Sequence, residues 1–365
     1  MSAATFAHTL AFSARKALLA WFRGYKRDLP WRRTSDPYAI WLSEVMLQQT
    51  RVETVVPYFE RFLAEFPTVG DLARAPRERV LAAWAGLGYY RRARMLHDAS
   101  MQIAQMPAFP GTVDELLQVH GIGPYTAGAV ASIAFGEVAP LVDGNVQRVL
   151  SRLCNLDGDM RGSAGTKQAW TAAKELVDEQ SPGDWNQALM ELGARICTPT
   201  SPSCGICPVR AECKALAADV VALRPVMSPK KRPKTEALEA SVLQDGSFLW
   251  LGRRRESLRF GGLWEPPVGA EREGEGWRLA GEVRHVLTHR VLEVRVYQGE
   301  STESACWSFD AASDYEELRL VAVASLGAAE IGLSTLAKKV LAVAGIDARR
   351  VRPRTRGLNE VRSPD

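Results

Sequence analysis

Four of the six cysteines lie in one 17-residue window, and their spacing limits what that part of the chain can build. Cys197, Cys204, Cys207 and Cys213 form the pattern C-x6-C-x2-C-x5-C. Four thiols in one short loop can converge on a metal centre, with zinc and disulfides as the general alternatives. Zinc sites usually use two separated cysteine pairs, whereas this run has one close pair and two flanking single cysteines. The uneven spacing therefore favours the corners of a cubane [4Fe–4S] cluster over zinc.

The hydrophobic period changes after this window. Apolar residues follow a helical period from about residue 5 to 215, whereas residues 283–297 alternate like a half-buried strand. An Asp245-Gly246 turn predicts a β-hairpin, and residues 334–344 predict a closing helix. We therefore expect four parts in chain order: an all-α domain (1–215) containing the metal loop (197–213), a basic linker (216–235), a smaller α+β domain (236–346) and an Arg-rich tail (347–365).

Charge and hydropathy indicate which partners and which cellular compartment to expect. The formal net charge is only +4, but residues 224–234 and 349–362 are rich in Lys and Arg. Such blocks attract phosphate, although a solvated linker and a frayed end explain them equally well. The sequence has no run of about 18 apolar residues and no secretory signal. We expect a monomer in the cytoplasm, associated with the nucleoid and not with a membrane.

A Gly-x-Gly turn separates two predicted helices, 112–119 and 124–135. Gly121 and Gly123 permit a tight turn with positive φ, after which the second helix presents free backbone N–H groups. These donors and the helix dipole suit a DNA phosphate. Many helical hairpins contain such a turn, so the pattern alone does not establish DNA binding.

Two carboxylates lie in contrasting settings. Glu44 has Ile40 and Leu47 as helical neighbours, so we expect burial to raise its pKa and favour the protonated form of a general acid. Asp143 precedes a helix, where an N-cap role is the simpler explanation and an ionised carboxylate is expected. One protonated and one ionised carboxyl would suit the release of a protonated leaving group with stabilisation of an oxocarbenium ion.

At this point the chain resembles a known family. The motifs that carry the resemblance occur in order: L-P-W-R (29–32), L-S-E-V-M-L-Q-Q-T (42–50), G-L-G-Y-Y-R-R-A-R (86–94), G-I-G-P-Y-T-A-G-A-V (121–130), V-D-G-N-V-x-R-V (142–149) and the cysteine loop. Over about residues 8–300 the series is similar to the MutY family of helix–hairpin–helix DNA glycosylases. The resemblance implies a six-helix barrel with an iron–sulfur module, and a duplex partner containing adenine opposite 8-oxoguanine or guanine.

The resemblance also implies roles for individual residues. Glu44 would protonate adenine N7 and assist the incoming water, and Asp143 would stabilise the oxocarbenium ion, with a transient covalent adduct as one route. Tyr125 and Asn145 would support this site. Tyr125 also stands where lyase relatives place a Schiff-base lysine, so we expect a monofunctional glycosylase. The expected DNA-contacting and lesion-contacting residues are Trp31, Arg32, Gln48, Gln49, Thr50, Leu87, Tyr89, Gly121, Gly123, Thr288 and His289.

The C-terminal region resembles a Nudix-like (MutT-like) domain that recognises 8-oxoguanine. The F-G-G-L-W-E-P-P motif (260–267) is the clearest match, and Thr288-His289 matches the lesion-contacting loop of the family. Many relatives have Phe-Ser-His where this chain has Leu287-Thr288-His289, and a Thr and a His on a strand edge remain an alternative. The metal-binding motif of Nudix hydrolases is present here only out of register, so we expect no pyrophosphohydrolase activity. A bifunctional lyase for oxidised pyrimidines and a non-catalytic iron–sulfur damage sensor are the competing functions.

Overall fold

The computed structural model describes residues 12–229, 232–269, 271–274, 276–287, 289–300, 305–308, 314–326 and 331–348. The chain forms two compact units: unit 1 is built from the described parts of Met1–Arg74 and Met95–Lys230, and unit 2 from those of Ala75–Arg94 and Lys231–Asp365. The tail beyond Ala348 lies outside the described residues, and the predicted domain boundaries stay a prediction. In the described part of the chain, none of the helices has the length and apolar character needed to cross a bilayer.

The helices, in chain order, are α1 (Phe12–Tyr25), α2 (Pro37–Leu47), α3 (Val52–Glu65), α4 (Val69–Arg74), α5 (Arg77–Ala83), α6 (Tyr90–Ile103), α7 (Val113–Leu117), α8 (Pro124–Phe135), α9 (Gly144–Leu153), α10 (Ser163–Leu176), α11 (Pro182–Arg195), α12 (Lys214–Ala217) and α13 (Thr335–Val343). The strands are β1 (Lys234–Asp245), β2 (Phe248–Arg254), β3 (Trp264–Glu265), β4 (Glu271–Gly274), β5 (Arg278–Val286), β6 (Arg290–Glu300), β7 (Ala305–Ser308) and β8 (Tyr315–Ala322). A helical unit and an α+β unit are thus confirmed.

Unit 1 is held together by apolar faces of its helices. Leu18 and Phe22 of α1 are fully buried and share a core with α9, α10 and α11. Helix α11 contacts α1, α8 and α9, and α2 packs on α8. Gly128 allows a close approach at the middle of α8, because a Cβ there would lie 2.1 Å from the carbonyl oxygen of Pro140. This packing brings α2, α8 and α9 together, and these three helices carry the site.

Unit 2 contains a mixed sheet in the order β3-β2-β1-β6-β5, with β8 also paired to β2, and a two-stranded sheet of β4 and β7. The predicted hairpin is confirmed, since Asp245 pairs with Phe248 across the turn. The prediction of one strand over 283–297 is wrong. The chain turns between Leu287 and Arg290, where the Leu287 N–H donates to the Arg290 carbonyl at 2.8 Å. Only three polar residues, Thr288 to Arg290, separate the apolar residues of the two strands, so the sequence pattern did not reveal the turn.

The region predicted as a linker is partly packed on unit 1. The backbone of Val226 accepts a hydrogen bond from Met160 N at 2.9 Å, and Ser228 N donates to Asp159 at 3.0 Å. Arg152 Nε also donates to the Arg224 carbonyl at 3.0 Å. Chain up to Ser228 is therefore fixed to the helical unit.

Candidate active site

Helix α2 carries Glu44 into the interior of unit 1. The helix begins at Pro37 and is capped by Asp36, whose carboxylate accepts from the backbone N–H groups of Tyr38 and Ala39. Nearly every residue from Tyr38 to Met46 is buried, and Glu44 is only 4% exposed. The burial predicted from the apolar neighbours of Glu44 is confirmed.

The Glu44 carboxyl has one close hydrogen-bond donor. Tyr125, the second residue of α8, donates its hydroxyl to Glu44 Oε2 in a short hydrogen bond. Burial raises the pKa of Glu44 to about 7, and the charge of Asp143 adds to this effect while Tyr125 and Arg32 oppose it. A carboxyl with this pKa exchanges a proton near neutral pH. The influence of Asp143 also shows that the two carboxyls lie within electrostatic reach of each other.

Asp143 is the N-cap of α9. Its Oδ1 accepts from the backbone N–H of Val146 at 2.6 Å, and its Oδ2 accepts from Asn145 Nδ2 at 3.4 Å. Burial nevertheless raises the pKa of Asp143, outweighing these hydrogen bonds and the positive charge of Arg148. The expectation that the cap position lowers this pKa is therefore wrong, because desolvation of the half-buried carboxyl outweighs the stabilisation by the helix N-terminus.

A second buried carboxylate, Glu191 of α11, anchors the neighbouring arginines. Arg27 binds it through Nε at 2.9 Å and Nη2 at 2.8 Å, and Arg32 Nη2 lies 2.9 Å from Oε2. Burial alone would raise the pKa of Glu191, but the hydrogen bonds from Arg27 and Arg32 outweigh it and lower the pKa to about 2. Arg32 is thereby fixed next to Trp31, which is also buried. Sequence reasoning missed Glu191 and Arg27, although the apolar neighbours of Glu191 on α11 gave the same signal used for Glu44.

The residues that follow α2 leave the helix in a constrained turn. Gln48 Nε2 donates to Thr126 Oγ1 of α8 at 3.3 Å. Gln49 has a φ of 61°, which is uncommon for a residue other than glycine. Thr50 closes the turn through its hydroxyl, 3.4 Å from the Gln48 carbonyl oxygen. These three predicted lesion-contacting residues follow directly on the helix of Glu44.

The remaining predicted lesion contacts belong to unit 2. Leu87 and Tyr89 lie in the turn between α5 and α6, where Tyr89 is exposed and has a φ of 50°. His289 is exposed in the turn between β5 and β6, and its carbonyl accepts from Lys234 N at 3.2 Å. Thr288 lies outside the described residues.

The predicted hairpin joins α7 and α8. Thr112 and Glu115 form the capping box of α7, and Gly121 adopts a φ of 89° in the turn. Gly123 does not use positive φ: it is the N-cap of α8 with a φ of −96°. The first turn of α8 therefore follows a glycine whose missing side chain leaves the N-terminus open, since nothing lies within 4 Å of a Cβ placed there.

The four cysteines of the loop surround one region at the end of α11. All four are free thiols in this structure. Burial, together with the charges of the other three cysteines, raises the pKa of Cys207 to about 11. A cavity of about 430 Å³ is lined in part by Cys207 and Cys213. Within the described ranges, no three Cys, His, Asp or Glu side chains form a group able to hold one metal ion.

Two arginines of α9 bind this loop. Arg152 donates to Cys197 Sγ at 3.4 Å and to the carbonyls of Thr198 at 2.7 Å and Pro199 at 3.0 Å. Arg148 donates to the Cys197 carbonyl at 2.7 Å and to Asn145 Oδ1 at 2.8 Å. The helix that presents Asp143 therefore also fixes the first arm of the cysteine loop.

Comparison with known proteins agrees with this arrangement. Residues 42–177 match the family described as HhH-GPD superfamily base excision DNA repair protein. The adenine DNA glycosylases of Arabidopsis thaliana and Homo sapiens are 41% and 47% identical to this chain over 69% and 55% of its length, and the chain spans 47% and 39% of theirs. The adenine DNA glycosylase of Rattus norvegicus is 35% identical, over 85% of this chain and 76% of the rat protein. By this extended similarity, the chain belongs to the adenine DNA glycosylase family.

Proposed function

We propose that this protein is a monofunctional DNA glycosylase that hydrolyses the N-glycosidic bond of adenine mispaired with 8-oxoguanine or guanine. One observation carries the proposal: a buried glutamate with a pKa of about 7 lies within electrostatic reach of a second carboxyl, the half-buried Asp143. Both belong to a helix–hairpin–helix unit with an open helix N-terminus suited to a phosphate. The partner is duplex DNA, bound by a monomer.

The chemistry requires adenine outside the base stack, because a side chain cannot reach the glycosidic bond within the duplex. Glu44 gives its proton to adenine N7, and the C1′–N9 bond breaks with its electron pair moving into the adenine ring. Asp143 stabilises the oxocarbenium ion left at C1′. Water attacks C1′ and its proton passes to the Glu44 carboxylate, which restores the acid. Tyr125 and Asn145 hold the two carboxyls in place.

We also propose which residues line the base pocket and which contact the opposite base. Glu191 holds Arg32 next to Trp31, and this pair lines the adenine pocket. The space left in the duplex by the extruded adenine, and the base opposite it, would be contacted by Gln48, Gln49 and Thr50. Leu87, Tyr89, Thr288 and His289 would contribute to the same contacts. Left-handed φ values at Gln49 and Tyr89 support this assignment, because such strain is concentrated at functional sites.

Tyr125 also bears on the reaction type. No amine stands at this position, and its phenol is hydrogen-bonded to Glu44, so a Schiff base cannot form there. We expect adenine release without strand cleavage. Borohydride treatment of the wild-type protein with its substrate should trap no covalent adduct, and substantial trapping would favour the lyase alternative.

We propose that the cysteine loop holds one [4Fe–4S] cluster. The four cysteines are free thiols, and Cys197, Cys204 and Cys213 lie close enough to Cys207 to affect its pKa. A set of four thiolates is the ligand set that a [4Fe–4S] cluster takes. When bound, the cluster would fix the loop near Arg195, Arg210 and Lys214, which can meet phosphate. Purified protein should be brown, absorb near 400 nm and contain about four iron atoms per chain. A colourless, fully active zinc protein would contradict the cluster.

The decisive experiment measures adenine release from A:8-oxoguanine, A:G and A:T duplexes by wild type, Glu44→Gln and Glu60→Gln. Glu60 is an exposed helical glutamate and serves as the matched control. Glu44→Gln should abolish release while retaining binding to the mismatch, and Glu60→Gln should behave like wild type. A wild type that binds but releases no adenine would establish the sensor alternative, and nicking of a thymine-glycol duplex without alkali would establish the lyase.

A further inference from the structure

Residues 75–94 belong to the same compact unit as the C-terminal sheet, although they lie far from it in sequence. Helix α5 packs closely on the F-G-G-L segment: a Cβ placed on Gly262 would lie 2.9 Å from Leu81 Cδ1. Val80, Leu81 and Trp84 are all buried. The segment therefore shares packing with the C-terminal region.

Three arginine contacts fasten both ends of this segment to β2 and to the loop between β2 and β3. Ahead of the turn, Arg77 Nη1 lies 2.7 and 2.8 Å from the two carboxylate oxygens of Glu256. Beside it, Arg253 of β2 reaches Glu78 at 3.0 Å. After the turn, Arg94 Nη1 donates to the carbonyl of Gly261 at 2.5 Å. Movement of the sheet relative to the turn would have to break these contacts.

The turn between the two ends is itself constrained. The indole N–H of Trp84 donates to the Gly88 carbonyl at 3.0 Å, and Gly86 N donates to the Tyr90 hydroxyl at 3.2 Å. Tyr89 is held in the left-handed region and the residue is 45% exposed, with the Arg92 guanidinium 5.2 Å from its ring centre. A residue keeps such a conformation only where its surroundings enforce it.

We propose that β2 and the loop between β2 and β3 position the Gly86–Tyr89 turn through the Arg77–Glu256, Arg253–Glu78 and Arg94–Gly261 contacts. These residues would then contribute to the choice of the base opposite adenine without touching it. This inference rests on the proposed function, in which Tyr89 probes that base. Arg77 and Glu256 are positioning residues, because they act through the turn.

The test measures how much more tightly the full-length protein binds A:8-oxoguanine than A:G duplexes, in a Glu44→Gln background that prevents release. Arg77→Glu and Glu256→Arg each place like charges together and should lower this preference about two- to five-fold, the range expected for an exposed ion pair. The swapped double variant should restore it. Arg74→Glu breaks an exposed ion pair with Asp71 that has no link to the turn, and should leave the preference unchanged.

A further cycle separates positioning from general damage. Tyr89→Ala should reduce the preference, and adding Arg77→Glu to it should cause no further loss, because both changes act on one element. Full preference in Arg77→Glu, or failure of the swap to restore it, would overturn the inference while leaving the proposed function intact. The inference and the proposed function would both be overturned if the Glu44→Gln parent showed no preference for 8-oxoguanine and wild type released no adenine.

Discussion

Tyr125→Phe removes a hydroxyl that donates to Glu44 while retaining the aromatic ring. This hydrogen bond stabilises the carboxylate and therefore opposes the rise in the pKa of Glu44 caused by burial. Removing it should raise the pKa above its wild-type value of about 7. A hydrogen bond to a charged group contributes about 1.5–3 kcal/mol, and one pKa unit corresponds to about 1.4 kcal/mol, so the shift should be about one to two units.

The direction of this shift decides the pH profile. Glu44 acts as an acid only when protonated, so wild-type kcat/KM should fall about tenfold per pH unit above a pH of about 7. In Tyr125→Phe the same decline should begin one to two units higher, whatever the change in the maximum rate. On the acidic side, kcat/KM should fall in both proteins as Asp143 becomes protonated, because its carboxylate must be ionised to stabilise the oxocarbenium ion.

The assay is adenine release from an A:8-oxoguanine duplex between pH 5 and 9.5 at constant ionic strength, under conditions that report kcat/KM. Tyr38→Phe is the matched control, since Tyr38 lies on the same helix as Glu44 and donates its hydroxyl to the Phe66 carbonyl at 3.0 Å. Its alkaline decline should coincide with that of wild type. A decline in Tyr125→Phe at the wild-type pH or below it would refute the assignment of Glu44 as the acid whose pKa Tyr125 lowers.

Three further changes test the packing and the cysteine loop. Gly128→Ala places a Cβ 2.1 Å from a carbonyl oxygen and should lower the free energy of unfolding, measured by denaturant titration, by about 1–3 kcal/mol. The control is Gly24→Ala, which should not lower it because nothing lies within 4 Å of the added Cβ. Glu191→Gln leaves two arginines without their carboxylate and should cost about 3–5 kcal/mol at pH 7. Because the pKa of Glu191 is lowered to about 2, this deficit should shrink as pH falls from about 4.5 towards 2. Cys207→Ser should abolish iron binding and the absorbance near 400 nm, whereas Cys154→Ser should retain both.

Features specified by nearby residues could be predicted from the sequence. The capping box at Thr112 and Glu115 and the cap of α13 at Ser334 depend on residues three positions apart. The burial of Glu44 follows from the apolar residues of its own helix. The hairpin at Asp245 was likewise predicted from its turn residues.

Features that depend on distant residues could not be predicted in this way. Arg27 and Glu191 are 164 positions apart, and only the packing of α1 on α11 brings them together. The association of residues 75–94 with the C-terminal sheet has no signal in the local period. The turn after β5 was missed because the polar break between the two strands, Thr288 to Arg290, is only three residues long.

Desolvation acts on both carboxyls of the proposed mechanism, and yet the two can have different roles. Burial raises the pKa of Asp143 as well as that of Glu44, so the cap position alone does not keep Asp143 ionised. The difference lies in their donors. Asp143 accepts from the backbone of Val146 and from Asn145, with Arg148 nearby, whereas Glu44 has a hydrogen bond from Tyr125. When one proton is shared by this pair it therefore resides on Glu44, which leaves Asp143 with the negative charge that the sugar cation requires.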